Sequence, residues 1–157
     1  MPRINVSEVI WTEQFSPKFK FGVIRKNLSI ASGGKKDTGT YGNGHPFDVE
    51  LVRVPPNTIN WPLHAHAAQW EAYLILSGKG MLRTIEGLDP VQPGDYLVHP
   101  PGEAHQLINR GEMDLVYYVI ADNPQADVIY YPDSDKYSIK PQRITFDTAV
   151  DYLMGEE

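Results

Sequence analysis

The sequence predicts an all-β protein, a small barrel of short strands, on two observations. β-branched or aromatic runs recur between turn signals at intervals of about ten residues. Glycine and proline, 13 of each in 157 residues, stand above their usual frequency. A chain of 157 residues can bury about two-thirds of its unfolded surface in one core. A single domain over residues 1–157 is therefore expected, with the barrel at about 47–122, an N-terminal arm and a C-terminal extension.

Taken in order, the N-terminal residues 19–30 alternate enough to supply one or two strands, extending a sheet edge or crossing to a partner subunit. Residues 31–45, reading ASGGKKDTGTYGNGH, are too rich in glycine, lysine and threonine to pack. They are expected to form a loop, more a slack surface segment than a lid. The barrel strands are expected at 47–54, 62–66, 71–77, 80–86, 95–99, 105–109 and 115–121, most of them of ordinary strand length. Pro55-Pro56-Asn57, Ser77-Gly78-Lys79-Gly80, Pro93-Gly94-Asp95 and Pro100-Pro101-Gly102 separate them, because proline fixes φ and glycine accepts positive φ. At the end, Asp147 is placed to cap a short C-terminal helix that runs through Val150 and Leu153 and stops at Gly155.

Charge and composition narrow the partners. With 14 basic and 20 acidic residues the formal charge is −6, and no stripe of Lys/Arg exists to neutralise a run of phosphates. Nucleic acid is not an expected partner. No apolar run approaches the roughly 20 residues a membrane-spanning helix needs, and residues 1–8 lack the apolar stretch of an export signal, so a cytoplasmic protein with no membrane partner is expected. The chain has no cysteine, so a transition metal would have to be held by nitrogen and oxygen.

The chemistry begins at Pro62-Leu63-His64-Ala65-His66. Residues i and i+2 of a strand point to one face, so two imidazoles aim at one point. Glu71 opens the next strand and can bring a carboxylate beside them; His105, after the turn at Pro100-Pro101-Gly102, is the candidate fourth ligand. Alone, a His-x-His pair is more often two ordinary histidines. Three neutral imidazoles and a carboxylate suit one divalent transition metal, Mn, Fe, Co, Ni, Cu or Zn, whereas Mg and Ca prefer oxygen. An octahedral ion on four protein ligands would keep two open positions.

Gln69 and Tyr73 share strand parity with Glu71 and are candidate pocket residues that would orient substrate or a metal-bound water, with core packing as the equal alternative. Asn109, four residues past His105, also faces inward by parity, although a hydrogen bond closing the barrel end is its favoured role. His45 and His99, in or next to loops, read as surface or turn histidines. Trp61 and Trp70 flank the motif and read as core or interface filling rather than a substrate platform.

These spacings resemble both signature motifs of the cupin superfamily. The first is His64-x-His66, four residues, Glu71, six residues, Gly78; the second is Gly94, five residues, Pro100-x-Gly102, two residues, His105, three residues, Asn109. One position departs, since the glycine that commonly precedes the histidine pair is replaced by Pro55-Pro56-Asn57 and Thr58. The resemblance covers about 47–122 and implies a double-stranded β-helix, commonly a homodimer, with His64, His66, Glu71 and His105 as metal ligands. Residues 127–136 with Gln106-Leu107-Ile108-Asn109 are similar to a group of uncharacterised bacterial single-domain cupins, some labelled sugar-phosphate isomerases.

Fold alone does not choose a reaction. The leading expectation is a metalloenzyme acting on a small polar substrate such as a sugar or sugar phosphate, by isomerisation or epimerisation. The alternatives are a metal-dependent dioxygenase and a non-catalytic module that binds a small molecule through the same ion. An isomerase also needs a proton-transfer base; Glu71 is taken as a ligand, and Glu86, Glu103 and Tyr96 have no spacing that aims them at the metal. An inward arginine would favour a phosphate-bearing substrate, with Arg53 and Arg83 as candidates. A regulatory sensor would need a DNA-binding unit for which the chain has no room.

Overall fold

Fourteen strands, one short α-helix and two 3-10 turns (Val6–Glu8 and Thr40–Gly42) lie within residues 3–36 and 38–147, the part of the chain described by this computed structural model. The strands are β1 (Thr12–Phe15), β2 (Gly22–Asn27), β3 (Phe47–Val54), β4 (Thr58–Ile59), β5 (Ala65–His66), β6 (Glu71–Ser77), β7 (Gly80–Arg83), β8 (Leu88–Val91), β9 (Tyr96–His99), β10 (Gln106–Asn109), β11 (Leu115–Asp122), β12 (Asp127–Tyr131), β13 (Lys136–Lys140) and β14 (Ile144–Phe146). The helix α1 spans Leu28–Ala31. The architecture is all-β, a double-stranded β-helix as predicted. The expected C-terminal helix over 147–155 falls almost wholly outside the described residues.

Three antiparallel sheets form the walls, ordered β1-β2-β3-β11-β6-β9, β4-β10-β7-β8 and β14-β13-β12-β5. Alternation in Phe47–Val54 shows how one wall faces in, because Asp48, Glu50, Val52 and Val54 are buried while their neighbours are not. The registers align these with β11 and β6 in rows: Asp48 with Ala121 and Glu71, Glu50 with Val119 and Tyr73, Val52 with Tyr117 and Ile75. The inward face is therefore polar at one end and apolar at the other. At the apolar end Val52, Val54, Ile75, Leu107, Leu115 and Tyr117 close a core between the first two sheets. Each such side chain contributes roughly 1.5–3 kcal/mol by leaving water.

Several expectations need correction. Strand 62–66 shrinks to β5 plus an isolated bridge at His64, because Pro62 and Leu63 make no ladder. Strand 80–86 stops at Arg83, where Thr84 and Gly87 close a hairpin turn (Thr84 N–H to Gly87 carbonyl, 3.0 Å). β8 holds Pro90 and went unpredicted; proline is admitted because β8 is a sheet edge with no outer partner. The stretch 19–30 extends the first sheet through β2, but its end turns into α1, since the Asn27 side chain caps the Ile30 N–H at 2.8 Å. Asn57 sits at φ 58° and thus supplies the left-handed turn usually given to glycine.

The segment 31–45 is not slack among its described residues. Tyr41 Oη donates to the Gln125 carbonyl (2.9 Å), and Lys36 Nζ reaches Glu50 Oε1 (2.8 Å) at the polar end of the barrel. Gly78 turns β6 into β7 at φ 80°, and a Cβ there would strike the Asp114 carbonyl oxygen, so only glycine fits. Among the described residues no helix is long and apolar enough to cross a membrane.

Candidate metal centre

Each predicted ligand is placed by a different piece of sheet. The His64 N–H and carbonyl pair with those of His105 across an isolated antiparallel bridge, while His66 lies in β5 opposite Ile129 of β12. Glu71 begins β6, between Ala121 and His99. One potential ligand atom from each of His64, His66 and Glu71 lies within 4.8 Å of the other two. His105 stands outside that triplet but adjoins it, its Nε2 3.1 Å from Glu71 Oε2 and its ring centroid 4.7 Å from that of His64.

The protonation states suit a cation. Burial first, then the neighbouring His105, pushes the His64 imidazole down to about 3, which leaves it neutral with a lone pair to give. Burial alone would raise the Glu71 carboxyl. His105, whose Nε2 faces the carboxylate, together with the nearby His66 and His64 outweighs it, and Glu71 is held well below the usual carboxylate range. Tyr73 Oη donates to Glu71 Oε2 at 2.6 Å, and burial followed by the Glu71 charge raises its phenol well above the ordinary value. The buried Nε2 of His66 has no hydrogen-bond partner among the described residues and lies 3.6 Å from Glu71 Oε1. A buried donor set of imidazole nitrogens and one carboxylate, with an orphaned nitrogen facing the carboxylate, fits a divalent transition ion.

The triplet floors a cavity of about 390 Å³, within the size range of small-molecule sites. Gln69 and Tyr73 line it. Gln69 is held at both ends of its amide, donating to the Asp122 carbonyl (2.5 Å) and accepting from Lys140 Nζ (3.5 Å). Asn109 does not line the cavity: fully buried, it donates to the Val54 and Met113 carbonyls at 2.8 Å each and closes the far end of the barrel. Trp61 lines the cavity as well as packing on the core, whereas Trp70 is half exposed.

Of the remaining polar candidates, His99 is the one whose expected place the structure overturns. His99 is no turn histidine; it ends β9, is 2% exposed, and stacks on His105 with centroids 4.0 Å apart and planes 9° from parallel. Arg53 and Arg83 do not line the cavity, since Arg53 pairs with Asp114 and Arg83 with Asp133. The basic residues that do line it are Arg25, Lys36, Lys140 and Arg143. Glu50 links the first two, 3.3 Å from Arg25 Nη1 and 2.8 Å from Lys36 Nζ, and also accepts from Asn27 at 2.7 Å. Asp48 completes the polar wall, buried and with Oδ1 unpartnered among the described residues. The signal for Asp48 and Glu50 was present in FDVELVRV, where two acids share a parity with two core valines.

Comparison with known proteins agrees with this fold. The Cupin_2 family of cupin domains matches residues 50–121. The oxalate-binding protein of Thermotoga maritima is 33% identical over 70 residues, a stretch covering 44% of this chain and 56% of that protein, so the chain matches only about half of its relative's length. A structure from Acidithiobacillus ferrooxidans, provisionally named a sugar phosphate isomerase, superposes with a TM-score of 0.77 at 24% identity, over 93% of this chain and 92% of that one. The cupin-superfamily sugar phosphate isomerase of Silicibacter pomeroyi gives 0.75 at 22%, over 96% and 94%. At these identities the structures share the fold.

Proposed function

We propose, from the premise that residues 50–121 of this chain are a cupin domain, that the protein is a metal-dependent isomerase or epimerase of a small anionic sugar derivative such as a sugar phosphate. The carrying observation is that Arg25, Lys36, Lys140 and Arg143 line the same cavity that His64, His66 and Glu71 floor. In this reading the whole of 1–157 acts as one domain around the barrel at 47–122. His64, His66, Glu71 and His105 hold one divalent ion of Mn, Fe, Co, Ni, Cu or Zn. When bound, such an ion acts as a Lewis acid on a substrate oxygen.

The remaining work falls to the protein. Arg25 and Lys36, fixed by their shared contact with Glu50, grip the anionic end of the substrate. Glu50, already accepting from three donors, positions these cations instead of moving protons. Tyr73 keeps its proton and holds Glu71 in place. Asp48 is the base: it shares an inward row with Glu71 two strands away, roughly 10 Å by strand spacing, so a sugar-sized molecule fits between them. Its Oδ1 takes the proton from the hydroxyl-bearing carbon beside the substrate carbonyl and returns it to the former carbonyl carbon, while the hydroxyl proton passes to the former carbonyl oxygen.

A second reading, binding of a small dicarboxylate without turnover, is favoured by the Thermotoga relative, which is named for oxalate binding. Calorimetry on metal-loaded protein separates the two. A phosphorylated sugar is expected to bind, and Arg25→Ala to weaken it by roughly 10–100-fold, the worth of one charge-assisted hydrogen bond. Tight binding of oxalate with no response to sugar phosphates would select the second reading. The working unit is a homodimer formed through the outer face of the six-stranded sheet, where Leu74, Leu76, Tyr96, Val98 and Ile120 are exposed side by side.

A further inference from the structure

The three imidazoles of the centre are all anchored at Nδ1, but not alike. His64 Nδ1–H donates to the Pro62 carbonyl (2.9 Å) and His105 Nδ1–H to the Glu103 carbonyl (3.1 Å), in each case the main chain two residues earlier. His66 Nδ1–H instead donates to a carboxylate 61 residues away, Asp127 Oδ2, at 2.5 Å. Asp127 is itself immobilised: it is 4% exposed, its Oδ1 accepts the Ala68 N–H at 2.8 Å, and β12 is laddered to β5 with Ile129 opposite His66. The far nitrogen of the same ring, Nε2, is the buried atom left without a partner beside Glu71.

We propose that Asp127 is a positioning residue of the metal centre, which fixes the Nδ1–H tautomer of His66, aims its Nε2 at the ion and makes it the strongest of the three nitrogen donors. The inference rests on the metal-binding reading above. A carboxylate draws on the Nδ1 proton harder than a carbonyl does and so raises electron density at Nε2; removing such an outer partner costs about 10–100-fold in metal affinity. Asp127 lies beyond the 50–121 span of the family match. The third sheet thus belongs to the site and is not mere extension.

Co²⁺ alone is the probe, titrated into the full chain and followed by its visible d–d absorption. The parent protein is expected to bind one ion and His66→Ala to lose most of its affinity; a parent that binds none overturns the metal reading and this inference with it. Asp127→Asn is expected to bind one ion about 10–100-fold more weakly with a shifted d–d spectrum, since a neutral acceptor leaves His66 a poorer donor. Parent-like affinity and spectrum in Asp127→Asn would overturn the inference alone and leave the metal site standing. A measurement on the parent covers the case in which the variant fails to fold. With ¹⁵N-labelled histidine and Zn²⁺ bound, long-range ¹H–¹⁵N correlation is expected to place the His66 proton on Nδ1, and a proton on Nε2 would also overturn it.

Discussion

His64 and His105 are joined through their own backbones: the His105 N–H donates to the His64 carbonyl at 2.9 Å, the reverse bond is 3.4 Å, and the rings lie 4.7 Å apart. Two candidate ligands 41 positions apart in sequence (105 minus 64) are thereby set side by side by main-chain hydrogen bonds, independently of what their side chains hold.

Because that pairing survives side-chain truncation and the apolar core lies at the other end of the barrel, His105→Ala and His66→Ala should each lose the metal and stay folded. Elemental analysis beside circular dichroism checks both halves. Metal content equal to the parent's in both variants would refute the ligand assignment.

Asp48→Asn should keep the metal and the fold but slow turnover of a sugar phosphate by about 10²–10⁴-fold, the usual worth of a positioned base. Solvent deuterium incorporation into substrate, followed by NMR, reads the proton transfer directly. Undiminished incorporation would remove Asp48 from the mechanism.

The metal-free protein should weaken in mild acid. Burial first, then the neighbouring His105, pushes the His99 imidazole down to about 3, against an ordinary value near 6.5. Below pH 6.5 the unfolded chain takes up a proton that the folded one refuses, so stability present above pH 6.5 falls as pH drops towards 3. At pH 5 the loss from this group is roughly 2 kcal/mol. Urea midpoints at pH 7 and pH 5 measure it, and His99→Phe should reduce the difference; an identical pH response in that variant would count against the assignment.

If the exposed apolar face of the six-stranded sheet is covered by a second copy, Leu74→Lys with Val98→Lys should yield a monomer with an intact fold. Leu74 pairs with Tyr96, and Ala72 with both Val98 and Ile120, so the two lysines would sit within one patch. Sedimentation velocity decides, and a parent protein that is already monomeric ends the proposal.

What the sequence made legible was local. Strands 47–54 and 71–77 were predicted to the residue, the first because its side chains alternate between Pro46 and Pro55, the second because its apolar run ends at the Gly78 turn. The fixed spacings singled out His64, His66 and Glu71, which the fold sets together, and His105, which adjoins them. What stayed hidden depends on pairing between distant segments. Asp127 reaches His66 only because β12 docks on β5, and nothing near residue 127 announces a metal. His99 was misread because Pro100-Pro101-Gly102 follows it, yet a strand can run buried up to the very edge of a turn. Arg53 and Arg25 are opposite cases on adjacent strands: one is taken by Asp114, the other turned into the cavity, and charge alone cannot tell them apart.

Gly78 carries a cost that its distance in sequence from Glu71 conceals. A methyl group there would push against the Asp114 carbonyl just where β6 leaves its bulged ladder with β11, and the same ladder sets the height of Glu71 in the wall. In a mutational scan, residue 78 should therefore read like a ligand, intolerant of every replacement, although it donates nothing to the ion. Sensitivity at that position would report on the rigidity of the scaffold, and no map of chemical contacts alone would have marked it.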